Sequence, residues 1–62
     1  MHNEPRTVCE LMVRAASALE DRDTDTLEQL ITVNDGWLQT VDERNSLHRL
    51  LESMLAAAYE LE

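Results

Sequence analysis

Lysine and phenylalanine are absent from this 62-residue chain, and glycine, proline, cysteine, tryptophan and tyrosine occur once each. Each shortage closes off a class of protein. One glycine cannot build a Gly-rich loop that cradles phosphate, nor the nucleophile elbow that would activate Ser17, Ser46 or Ser53. A single cysteine, Cys9, leaves no intrachain disulfide; it fits a reducing compartment or, in an oxidising one, a bridge between two copies. Strand-favouring residues and turn formers are sparse, so the composition points to an all-α fold. No apolar run approaches the roughly 18 residues that span a bilayer. Met1–Arg6 lacks the basic-then-apolar pattern of a signal peptide. The expectation is one helical domain over residues 1–62, soluble and cytoplasmic.

Cations are the next scarcity. Five arginines face thirteen acidic residues, for a formal net charge of −8. Nucleic-acid binding needs cations that displace phosphate counterions, so this chain is not expected to bind DNA or RNA directly, nor an anionic membrane. A basic protein partner would be attracted, in a salt-sensitive way. The plainer use of the same charge is solubility.

What the chain does have is apolar residues at helical spacing. Thr7 with Glu10 forms a capping-box signature, after which Val8, Leu11, Met12, Ala15, Ala18 and Leu19 share one face. Cys9, Val13 and Ala16 widen that face, which predicts contact with more than one neighbouring helix. The charged run Asp21–Asp25 breaks the pattern. Asp25 with Glu28 repeats the capping logic, and Leu27, Leu30 and Ile31 carry a second helix inward. Asn34-Asp35-Gly36 reads as its stop, with Gly36 in the left-handed conformation and Trp37 folding back onto Ile31. Thr40 and Glu43 cap a third segment, along which Leu47, Leu50, Leu51, Met54, Leu55, Ala58 and Leu61 recur.

Three helices are therefore expected, at about 7–21, 25–35 and 40–61. The competing reading joins the last two into an α-hairpin with a long kinked second arm, since one internal Gly costs only about 1 kcal/mol. Wheel phase argues for a break. The apolar sectors before Val41 and after Leu47 differ by about a third of a turn. Two alanine clusters, Ala15, Ala16 and Ala18 in the first helix and Ala56–Ala58 in the last, fall at one level if the chain runs up-down-up. Small side chains there permit close helix approach.

Candidate chemistry is thin. Asp21, Asp23 and Asp25 alternate like the opening of a calcium loop, but Thr26 and Thr32 stand where its turn glycine and bidentate glutamate belong. His2 and His48 have no second ligand at i+3 or i+4 beyond Glu52, so neither a metal nor another cofactor is expected. Cys9 reads as a small buried residue. Arg44 and Arg49 lie among Asp42, Glu43 and Glu52 and invite surface ion pairs. No catalytic constellation remains, and the chain reads as a non-enzyme.

A chain this short buries only about 60% of its unfolded surface and is marginal without a partner. The expected function is that of a small acidic protein-interaction regulator of adaptor, chaperone or anti-activator type, working through apolar helix faces. A homodimer built on Leu47, Leu50, Leu51, Met54 and Leu55, with Trp37 and Leu38 at the joint, is the simplest partner arrangement. One alternative is an acidic nucleic-acid mimic that blocks a basic nucleic-acid-binding protein with Asp21, Asp23, Asp25 and Glu28. Another is a purely structural oligomerisation module. The plan of two shorter segments and a long Leu-rich helix over Val8–Glu62 resembles flagellar and type III export chaperones. That resemblance is one of pattern and leaves function to be argued from the site.

Overall fold

The computed structural model describes residues 5–60 of the chain. Three helices form in an up-down-up path: α1 (Val8–Glu20), α2 (Thr24–Gly36) and α3 (Val41–Glu60). The continuous kinked arm does not occur. His2 and Leu61, the latter expected at the end of the third helix, lie outside the described residues. The molecule is flat, with extents of 33 × 29 × 15 Å, and α2 packs most extensively on α3.

Local chemistry explains each boundary. Thr7 is extended at the N-cap of α1, and its hydroxyl accepts from the Glu10 amide at 3.1 Å. The Glu10 carboxylate reaches back to the Arg6 amide at 2.8 Å, one residue before the usual capping-box target. At the other end, the Arg22 amide donates to the Leu19 carbonyl at 3.1 Å and the Asp23 amide to the Ala18 carbonyl at 2.7 Å. These two bonds make a Schellman cap. Its left-handed position is occupied by Arg22, with φ 55°.

Asp23 then caps α2 at once: its carboxylate accepts from the Thr26 amide at 3.2 Å and the Thr26 hydroxyl at 2.6 Å. That corrects the expected Asp25–Glu28 cap, because the Schellman closure already delivers Asp23 to the N-cap position two residues earlier. Asp25 instead falls in the first turn, where negative charge is favoured. α3 is capped as expected, with the Glu43 amide donating to the Thr40 hydroxyl at 3.2 Å.

The end of α2 corrects a second expectation. Gly36 is helical and has no positive φ. Trp37 ends the helix in an extended conformation (φ −78°, ψ 149°), and its amide donates to the Asn34 carbonyl at 3.2 Å. A side chain replaces the left-handed cap. Gln39 Nε2 donates to the same carbonyl at 3.0 Å and to Asn34 Oδ1 at 2.9 Å. Asn34 is fully buried, and its Nδ2 donates across the joint to the Arg44 carbonyl at 3.2 Å.

The core is small. Leu11, Ala15, Ala18, Leu27, Leu30, Leu51 and Ala58 form one buried cluster drawn from all three helices. Each buried Leu contributes about 1.5–3 kcal/mol. Both alanine groups supply core members, Ala15 and Ala18 from α1 and Ala58 from α3, while Ala16 and Ala56 are exposed. Met12, Leu19, Ile31, Val33, Trp37, Met54 and Leu55 pack around it half-buried.

A Cβ at Gly36 would meet nothing within 4 Å. Gly36→Ala is therefore expected to raise stability by about 0.5–1 kcal/mol in urea denaturation, whereas a left-handed Gly36 would make it destabilising. Asn34→Ala should cost about 1–3 kcal/mol by the same measurement, since it removes the bond across the joint to the Arg44 carbonyl and one of the two acceptors of the Gln39 amide, and opens a void there.

Candidate partner-binding face

The two flanks of α3 differ in character. Toward α2 the flank is polar. The Tyr59 hydroxyl donates to Glu28 Oε1 at 3.3 Å, and His48 Nδ1 lies 3.1 Å from Asp35 Oδ1 while its Nε2 meets Glu52. Donation to both carboxylates requires the doubly protonated ring. The pattern holds α2 antiparallel to α3 along its outer edge. The ion pairs among the described residues centre on His48, which corrects the expected pairing of Arg44 and Arg49 with Asp42, Glu43 and Glu52. For Arg44 the side chain is turned inward, its Nε buried without a partner.

Toward α1 the flank is apolar and open. Val8, Leu47, Gln39, Ser46, Asp42 and Glu43 line a groove of about 420 Å³ at the end of the molecule that holds the α2–α3 joint. Val8 and Leu50 are each 44% exposed. Leu38 is wholly exposed, and for a reason the joint supplies. Its neighbours Trp37 and Gln39 are anchored, one against the core and one on Asn34, so the extended backbone between them points Leu38 outward.

α1 adds the largest unexpected surface. Leu11, Ala15 and Ala18 are buried, but Cys9, Val13 and Ala16 are all exposed. The widening of the apolar face serves no second helix of this chain, and Cys9 is not the buried residue expected. The cause is geometric. With only two neighbours, both packed on the Leu11–Ala15–Ala18 side, nothing remains to cover the Cys9–Val13–Ala16 row. On the helical wheel that row continues outward from Val8 and Met12, the α3-facing edge of α1.

Of the residues expected to meet a partner, Leu51 is fully buried within its own chain. Its assignment to a partner surface is corrected: α2 and α1 already cover it. Leu47, Met54 and Leu55 are half-buried, Trp37 packs on the core edge, and Leu50 and Leu38 are exposed. Val8, Cys9, Val13 and Ala16, on the wide α1 face expected to meet more than one helix, are left exposed. Their signal was the excess width of the α1 face over what two short neighbours can cover.

The acidic residues Asp21, Asp23, Asp25 and Glu28 are exposed around the α1–α2 turn. Asp23 is committed to its cap and Glu28 to Tyr59. A second, larger groove of about 620 Å³ between α1 and α2 has mixed walls that include Arg14, Asp21, Asp23, Thr26, Gln29 and Val33. Among the described residues no group of three or more His, Cys, Asp or Glu side chains is arranged to hold a metal ion. No described helix is long and apolar enough to cross a membrane.

Comparison with protein-family models, curated proteins and solved structures found no match. The site therefore stands on its own geometry.

Hydrogen bonds from the Thr26 hydroxyl and amide hold the Asp23 carboxyl below its ordinary range. A depressed folded-state pKa stabilises the fold above the unfolded value and loses that stabilisation as pH falls through the folded one. Asn caps helices as well as Asp but does not titrate. The stability gap between the native chain and Asp23→Asn should therefore narrow on acidification from about pH 5 to about pH 2, followed by thermal melts.

Proposed function

We propose that this chain is a non-catalytic protein-binding regulator, of adaptor, chaperone or anti-activator kind, that engages its partner through the apolar α1–α3 side. One observation carries the reading: the apolar face of α1 is only half used inside the chain, with Val13 69% exposed and Val8 44% exposed at the open groove it shares with Leu47. Small monomers rarely leave contiguous apolar surface uncovered unless it meets another molecule. Leu38, held outward between two anchored residues, is the kind of pre-ordered anchor that loses little entropy on binding.

The homodimer expected from the Leu47–Leu55 stripe has a different basis after folding. Leu51 and its neighbours close a core within one copy, so what a second copy would cover is Leu47, Leu50 and the outer row of α1. The reading is that of a binding module with no reaction of its own.

Substitutions separate core from contact. Leu51→Asp is expected to unfold the chain, because it puts a charge into the buried cluster. Val13→Asp and Leu50→Asp should leave the circular dichroism spectrum and melting midpoint nearly unchanged, yet abolish capture of the partner from the source cell. Capture undiminished by both exposed substitutions would sink the proposal.

A further inference from the structure

The partner's chemistry is legible in what surrounds the groove. Its floor is Val8 and Leu47, from α1 and α3, and its wall toward the joint carries Asp42 and Glu43. Among the described residues neither carboxylate takes part in an ion pair or accepts a side-chain hydrogen bond; the pairs centre on His48, on the other flank of α3. Arg44 is turned inward. The chain as a whole carries five cations against thirteen anions. An apolar trough with an unneutralised acidic wall is complementary to a helix with one apolar and one cationic face.

We infer that the α1–α3 groove docks a cationic amphipathic helix of a partner protein, its apolar side on Val8 and Leu47 and its Lys or Arg side chains on Asp42 and Glu43. The inference rests on the protein-binding reading above and adds the partner's chemistry to it. A second copy fits less well. It brings the same net charge of −8 to the same groove, and like charges set against each other across an interface oppose association. The groove beside Asp21 and Asp23 fits less well too: Pro5, Ala18, Leu30 and Val33 line it, but the cationic Arg14 shares its wall and Asp23 is already bonded to Thr26.

The test uses the full chain with synthetic amphipathic helices of one design, built from Leu with Lys, Leu with Gln, or Leu with Glu, and a scrambled Leu/Lys peptide. Trp37 is the only tryptophan, so its emission reports binding near the joint, and amide shifts locate the site. The Leu/Lys helix should bind at the groove, shifting Val8, Leu47 and Glu43. Val8→Ser, and Asp42→Asn with Glu43→Gln, should each weaken it by about tenfold. Neutralising Asp21, Asp23 and Asp25 to Asn should change it by no more than about twofold.

Equal binding by the scrambled peptide, or an equal loss on neutralising the turn, overturns the inference as unspecific charge attraction. Equal binding of the Leu/Gln helix at the groove overturns the cationic preference but leaves the protein-binding reading standing. Binding of none of the helices overturns the inference; capture that is still lost with Val13→Asp then shows that the broader reading survives. Sedimentation showing a dimer at micromolar concentration, with Val8 protected, assigns the groove to a second copy and overturns it as well.

Discussion

A buried asparagine decides the shape of this protein. Asn34 closes α2 and ties it to α3 in one set of bonds: its carbonyl accepts from Trp37 and Gln39, its side-chain oxygen accepts from Gln39, and its amide donates to the Arg44 carbonyl. A buried amide left without partners costs about 1–3 kcal/mol, so this residue is tolerated only in the geometry that satisfies it. That geometry sets where α3 begins and which way it returns. The inward position of Trp37, the outward position of Leu38 and the inward draw of Arg44 all follow from it.

Energetically the rest of the fold is modest. The fully buried large apolar side chains are Leu11, Leu27 and Leu51, and close approach at Ala15, Ala18 and Ala58 stands in for bulk. Capping carries an unusual share of the specification. Thr7, Asp23 and Thr40 each satisfy amides at a helix start, and Arg22 accepts a left-handed backbone so that α1 and α2 join through Asp21–Asp23 alone. A left-handed residue with a side chain is worth about 1–2 kcal/mol less than glycine there, and the fold accepts that cost for a tight connection.

The same economy leaves surface behind. Two short helices and one longer one cannot enclose an apolar face as wide as that of α1, so Cys9, Val13 and Ala16 stay outside. The division of α3 into a polar flank, where His48, Glu52 and Tyr59 face Glu28 and Asp35 of α2, and an apolar flank with Leu47 and Leu50 gives the flat molecule two unlike sides. The functional proposal is read from that asymmetry; among the described residues no group of three or more His, Cys, Asp or Glu side chains is arranged to hold a metal ion.

Much of the architecture was legible in the residues alone. Helical spacing, capping pairs and the phase shift near Gly36 are local properties, and they located three helices to within a residue or so of where they form. The acidity was legible too. What spacing could not supply was the identity of the covered face. Leu51 and Leu50 are neighbours on one stripe, yet one is fully buried and the other 44% exposed. Cys9, Val13 and Ala16 share the α1 pattern with Leu11, Ala15 and Ala18, yet lie in solvent. Gly36 carried the local signal of a left-handed cap, and a side chain from Gln39 took over that role. In each case the deciding partner is remote in sequence or set by packing: periodicity says which residues need cover, and only the arrangement of helices in space says which of them receive it.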